Sequence, residues 1–476
     1  MIGRHEAKCE VDCQHGSATT VRGTAKPAEQ LPPGKATAVG IPLAPGALPI
    51  VGHGAVLARK PLQFLSMLAR LDDVVEIRLG RLPVYVISNQ ALIRQLADVD
   101  VVSQGMFADL LKPVFGTSVE TTSGDEHLWY RRRAQPAFGR AMRSTTIRLT
   151  WQEAKAVVGA WQPGQVIDVC QMTDYLVARI MSKSMFSNEI GEDVAATIMQ
   201  TLPALAESVS LRNPRPEQWW RLVPLPGDRA AAKAGRVLRS ALEAAIRLHR
   251  QQEFERDDML SMLQSANKAN GEALSDLQLL DMVVDLVAAG ANNTGKQIAW
   301  AFYEFDANPD VAERVYQEID ELIAGGSLDY DAVPNLPFLS TVITEILRKY
   351  GNLAITRRTR RPVTFGKFRL PAGAHVMVSP HIIGRDPRYF PDPDRFVPDR
   401  WKSGAEDINH TFIPFGFGAH RCMGDRFAIS EITIALVAIL AQWRPRVVPG
   451  RQVRRRAVVS VRPDNLFMRA ELRRQG

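Results

Sequence analysis

The chain runs to 476 residues, enough for one large domain or about three average ones. Apolar residues make up 46% and charged residues 23%, a globular balance that excludes a disordered, collagen-like or coiled-coil protein. Lys and Arg outnumber Asp and Glu by 59 to 51; a net charge of +8 over this length gives patches of basic surface, not a dedicated nucleic-acid binder.

Residues 1–40 contain no Phe, Trp or Tyr and no apolar signal core, and they read as a disordered tail ahead of a single domain over 41–476. Cys9 and Cys13 lie there beside His5 and His15, a metal set on paper. No intervening segment can fold round an ion, so the tail reading is preferred. Order begins near Pro42. Residues 74–88 form a small β region, in which Val75, Ile77 and Leu79 alternate and 83–87 follow after a turn. Helical spacing dominates from Gln90 to about Lys349, over 154–161, 173–186, 228–253 and 275–305. Pro203, Pro214, Pro216, Pro224 and Pro226 punctuate that run as breaks. Ser275 and Gln278 make a capping box for the longest helix. That helix is weakened inside by Gly290 and two asparagines, which marks close approach of a ligand or another backbone.

After Tyr350, short strands alternate with Pro and Gly turns, a proline meander runs to Trp401, and a final apolar helix follows Gly424. The class is mainly α with a small β region. The apolar stretches 277–291 and 427–443 are interrupted by Asp281, Asp285 and Glu431. They fall short of the roughly 20 apolar residues of a membrane span, so no membrane anchor is expected. Four cysteines are too few for a disulfide scaffold and fit a cytoplasmic protein with reduced thiols.

The most informative segment is Phe415-Gly416-Phe417-Gly418-Ala419-His420-Arg421-Cys422-Met423-Gly424. Its cysteine stands just before a helix beginning near Asp425, so unpaired N–H groups and the positive end of the helix dipole face the sulfur. That setting lowers a thiol's pKa and holds a thiolate. The glycines let backbone approach a flat ligand, with Phe415 packed beside it. A zinc site has only His410 and His420 to draw on. A nucleophilic cysteine lacks an assignable base, and a buried core cysteine is the plain alternative.

With Phe415, Gly418, His420, Cys422 and Gly424 in the form F-x-x-G-x-[R/H]-x-C-x-G, the sequence closely resembles the haem-thiolate cytochrome P450 monooxygenases from about Pro42 onward. Glu345 and Arg348 match the family's E-x-x-R pair, three apart on one helix face. Phe396, Pro398, Arg400 and Trp401 match its F-x-P-x-R-W meander. The resemblance implies a triangular haem-thiolate helical domain. It implies haem b (iron protoporphyrin IX) ligated by Cys422, and a structural charge network of Glu345, Arg348 and Arg400. Haem propionates need cationic or hydrogen-bonding partners. Counting from Pro136-Ala137-Phe138 gives His127 and Arg131, with Trp129 and Arg133 as the alternative at the same spacing. Counting from Pro371-Ala372-Gly373 gives Arg357, and His420 supplies the remaining contact. Some of Arg131–Arg133, Arg357, Arg358, Arg360 and Arg361 are expected to form a docking patch for an acidic electron donor.

One departure stands out. The family's central helix reads A-G-x-[D/E]-T-[T/S]. Here Ala289, Gly290, Ala291 and Thr294 match, but Asn292 holds the acid position and Asn293 the alcohol position. In the usual scheme the alcohol steadies bound oxygen and the acid relays protons that break its O–O bond. A carboxamide hydrogen-bonds but does not titrate near neutrality. A catalytic set of Gly290, Asn292, Asn293 and Thr294 therefore leaves three readings. The first is a monooxygenase whose protons come through water or a substrate hydroxyl. The second is oxidative coupling, ring formation, peroxide-driven oxidation or rearrangement. The third is a degenerate haem protein that only binds its ligand. A one-residue slip putting Thr294 in the alcohol role is also open.

The resemblance further implies O2 and a monomeric enzyme fed by ferredoxin and ferredoxin reductase. Substrate contacts are expected from Phe107, Leu110 and Ala289, with Met106, Leu111, Val114 and Phe115 nearby and a later stretch over 204–222. Those side chains favour a hydrophobic terpenoid or polyketide, or are plain core.

Overall fold

Alternation of Val75, Ile77 and Leu79 turns one face of β1 (Val74–Leu79) into the core, and β2 (Leu82–Ile87) folds back on it as an antiparallel hairpin. The computed structural model describes residues 40–97, 102–212, 227–251, 257–269, 274–326, 335–402, 412–457 and 459–473. The chain divides into units over Met1–Ala36 and Thr37–Gly476. The first unit, and with it the expected tail carrying Cys9 and Cys13, lies outside the described residues. So do Pro214, Pro216, Pro224, Pro226 and His410.

β3 (Val102–Gln104), β5 (Ile355–Thr359) and β8 (His375–Val378) complete a sheet of order β1-β2-β8-β5-β3, with β8 parallel to β2 and antiparallel to β5. β6 (Val363–Phe365) and β7 (Phe368–Leu370) form a hairpin in the strand-rich region expected after Tyr350. A second sheet joins β4 (Val166–Asp168), β12 (Phe467–Leu472) and β9 (Trp443–Val447), and β10 (Arg454–Ala457) pairs with β11 (Val461–Asp464).

Helices supply the rest. Residues Val169–Phe186, Asn188–Arg212 and Asp228–Gln251 form helices around the central helix Asp276–Ala307. Ser275 and Gln278 close its capping box in both directions. Pro203 lies inside Asn188–Arg212 and does not end it, contrary to the sequence expectation. Packing against helices Val169–Phe186 and Asp228–Gln251 holds that helix through the one hydrogen bond that proline removes. Among the described residues no helix is long and apolar enough to cross a membrane.

The central helix takes part in two apolar clusters. Its first half, through Ala291, packs with Met181, Leu238 and Leu242; its second half, from Ile298, packs with Val342, Ile346 and Leu436. Residues 292–297, Asn-Asn-Thr-Gly-Lys-Gln, fall between the two, so a polar segment sits at the junction of two dry regions.

Candidate active site

The helix Asp425–Leu440 starts where the sequence places it, with Gly424 as its cap residue. Ahead of it the loop is held tight: the Cys422 N–H donates to Phe415 O at 2.9 Å and the Arg421 N–H to Gly418 O at 3.1 Å. Gly418 has φ +66°, and a side chain there would collide with the Ala97 carbonyl, so only glycine fits. Phe415 packs against the larger apolar cluster. Gly424 brings backbone against both the Phe138 ring and the Cys422 sulfur, where a Cβ would lie 3.3 Å and 4.0 Å away.

The Cys422 side chain remains accessible, though protein surrounds it closely. Burial pushes its thiol up to about 11, against the pull of the Gly424 N–H and the Arg131 guanidinium. This corrects the expectation of an acidic thiol: the helix start alone does not outweigh desolvation. A bound metal ion would, because a coordinating thiol is deprotonated outright.

His127, Arg131, Arg357 and His420 converge around this loop. The His127 and His420 rings meet at a tilt of 49°, with 3.9 Å between centroids. His127 Nδ1 lies 2.9 Å from Val119 O and Nε2 3.2 Å from Ala419 O. Arg131 donates to Arg421 O at 2.7 Å. Arg357, buried on β5, donates to Gln104 and to its neighbour's carbonyl, Thr356 O, and lies 5.4 Å from the Phe417 ring. Burial lowers its pKa to about 10, which leaves it cationic at neutral pH. His420 is held neutral, first by burial and then by His127, Arg357 and Arg131, and both its ring nitrogens are buried without a partner. An orphaned imidazole in the field of two guanidiniums fits an anion, as the propionates of haem would be. Trp129 and Arg133 instead pair with each other, with the guanidinium 3.6 Å from the indole centroid. Arg133 and Arg357 are buried, which removes both from any docking surface.

Behind the loop, Glu345 takes two parallel bonds of 2.8 Å from Arg348. Arg400, Trp401 and the Val397 N–H also donate to it, at 3.1, 2.9 and 3.0 Å. Arg348 continues to the carbonyls of Gly384, Pro393 and Arg395. Both Glu345 and Arg348 are fully buried, so this is an internal tie and not a solvated helix pair.

On the central helix, Gly290 faces Met181, whose sulfur would lie 2.6 Å from an added Cβ. Its smallness serves helix packing. Thr294 is buried and hydrogen-bonds Glu431. Asn292 Oδ1 accepts from Lys296 at 2.9 Å, and Asn293 Oδ1 is buried without a partner. Ala289 is half-buried on the same helix. On helix Met106–Phe115, Met106, Leu111 and Phe115 are core, while Phe107, Leu110 and Val114 are half-buried. Of the stretch 204–222, only 204–212 is described, as the end of a helix.

Sequence reasoning missed Lys296, Glu431 and Asp174. The helical phase carried a signal: Asp285, Ala289, Asn292 and Lys296 fall on one face, three and four apart. Burial raises Glu431 to about 8, with Thr294 opposing. Burial also lowers Lys296 to about 8, with Asp174 opposing.

Fold and site together match a haem-thiolate oxidoreductase: a helical domain with a small sheet and, among the described residues, one accessible cysteine with two histidines and two arginines near it. The chain belongs to the cytochrome P450 family, whose model matches residues 42–467. It is 32% identical over 435 residues to cyclooctat-9-en-7-ol 5-monooxygenase of Streptomyces melanosporofaciens, covering 90% of this chain and 94% of that one. It is likewise 32% identical to pentalenene oxygenase of Streptomyces avermitilis, covering 91% and 98%. The crystal structure of the haem domain of cytochrome P450DA superposes with a TM-score of 0.78 at 22% identity, covering 91% of this chain and 98% of that one. The chain is a cytochrome P450 monooxygenase that uses haem, O2, a hydrophobic substrate and redox partners.

Proposed function

We propose that the chain hydroxylates or otherwise oxidises a terpenoid-like cyclic hydrocarbon or its alcohol, with electrons from a ferredoxin and its reductase, as a monomer in the cytoplasm. The carrying observation is the neutral, unpartnered His420, within the field of Arg131 and Arg357 and two residues from accessible Cys422. Cys422 would ligate the iron of haem b, and His127, Arg131, Arg357 and His420 would receive its propionates. Haem, once bound, supplies oxygen activation, which donation from the thiolate favours.

The residues of the chain do the rest. Phe107, Leu110 and Ala289 offer apolar surface to the substrate and keep water away from it. The Asn293 carboxamide holds a hydrogen-bond acceptor ready for a water or a substrate hydroxyl. A terpenoid is favoured over a polyketide because the relatives' names include pentalenene and cyclooctat-9-en-7-ol.

Carbon monoxide added to the dithionite-reduced holoprotein tests the assignment. A red-shifted Soret band is expected, and Cys422→Ser should abolish it; a variant that keeps the band contradicts the ligand assignment. Soret titrations with terpenoids and polyketides then test the substrate class, with terpenoids expected to give the shift. The second reading, peroxide-driven or coupling chemistry, is favoured by two non-titrating amides where an acid and an alcohol are usual. Full turnover with hydrogen peroxide alone would select it.

A further inference from the structure

Lys296 lies at the polar junction of the central helix, and it is buried. Burying an ammonium is costly unless partners compensate. Among the described residues its one hydrogen bond goes to Asn292 Oδ1, one helical turn back, at 2.9 Å. The charged groups around it come from separate elements. Asp174 on helix Val169–Phe186 opposes its loss of charge, and Arg462 on β11 adds to it. Arg462 is itself 3.6 Å from Asp174, and Asp168 also acts on Asp174. Glu431, on the helix that follows Cys422, is engaged one step away with Thr294.

A lysine ammonium has donors and no acceptor, so the Asn292 atom it meets must be the carbonyl oxygen. That settles the carboxamide's orientation and leaves Nδ2–H2 as the group Asn292 can offer elsewhere. The acid position of the family pattern is thereby turned into a hydrogen-bond donor backed by a buried cation.

We propose that Lys296 is a positioning residue for the oxygen side of the site, its ammonium locking and polarising the Asn292 amide so that the field there is set through that amide. This rests on the haem-thiolate reading above. Its ammonium is present below about pH 8 and is lost above it, so the field should weaken over that range.

The test uses the holoprotein reduced under carbon monoxide, with the C–O stretch followed by infrared spectroscopy from about pH 6.5 to about pH 9.5. A nearby donor or positive charge lowers that frequency. The wild-type band is expected to move to higher frequency with a midpoint near pH 8. Lys296→Met should hold it at the high-pH position throughout. Lys296→Arg, which does not titrate here, should hold it at the low-pH position. Asn292→Leu, which keeps the lysine but cuts its link to the pocket, should abolish the titration; it also serves if Lys296→Met binds no haem. A wild-type band that ignores pH, or a Lys296→Met or Asn292→Leu band that keeps the wild-type titration, overturns the proposal. Loss of the red-shifted Soret in the wild type would instead overturn the haem-thiolate reading, whereas failure of this proposal leaves that band in place.

Discussion

Gly116 rests directly on the Asp281 carboxylate: a Cβ at residue 116 would collide with both its oxygens. The same carboxylate accepts the Thr117 N–H at 2.8 Å and the Arg239 guanidinium at 2.6 Å. One turn on, Asp285 accepts the Glu120 N–H at 3.1 Å. The two acids that interrupt an otherwise apolar stretch of the central helix therefore anchor the loop over residues 116–120.

Gly116→Ala is expected to lose about 1–3 kcal/mol, from strain at φ +62° and from displacement of a buried carboxylate. Urea unfolding measures this. The double variant with Asp281→Ala should lose less than the sum of the two single variants, because the collision is gone.

Glu345→Ala leaves the Arg348 guanidinium buried without its main partner. A loss of about 3–5 kcal/mol is expected for a broken internal ion pair, read from the urea midpoint by tryptophan fluorescence. Glu345→Gln keeps an acceptor and should lose less. A loss under about 1 kcal/mol for the alanine variant would place the pair with solvated surface bridges.

Glu431 sets a pH dependence of stability. Its folded pKa, about 8, lies above the ordinary 4.5, so the folded chain holds this proton more tightly than the unfolded chain does. The contribution is complete below about pH 4.5 and is lost as pH rises to about 8, with a slope of at most about 1.4 kcal/mol per pH unit. Subtracting the stability of Glu431→Gln from that of the wild type at pH 5, 6, 7 and 8 should isolate this fall; a flat difference contradicts it.

Asn293→Thr restores an alcohol at its family position. With a substrate found by Soret titration, product formed per reductant consumed should rise and released hydrogen peroxide should fall. An unchanged ratio would point to protons delivered by the substrate itself.

Much of the site was legible because its signals are local. Glu345 and Arg348 stand three apart on one helix, the Ser275 capping box spans four residues, and the Cys422 loop reads continuously from Phe415 to Gly424. What escaped depends on distant chain. Lys296 looks like any solvent-facing lysine until Val169–Phe186 and β11 close over it. Asp281 and Asp285 find backbone donors more than 160 residues earlier. The C-terminal sheet was missed because β9 and β12 carry arginines between their buried residues, and β4 lies far upstream. Gly290 was legible as a point of close approach, but the approaching group is the Met181 side chain.

His127 stands between two carbonyls, and burial keeps its imidazole neutral. A neutral ring owns a single N–H. Whichever oxygen takes that hydrogen, the other confronts a bare lone pair, so the segment ending at Val119 and the one bearing the sulfur compete for one bond. Tautomerism in a single side chain thus decides which of the two carbonyls takes that bond.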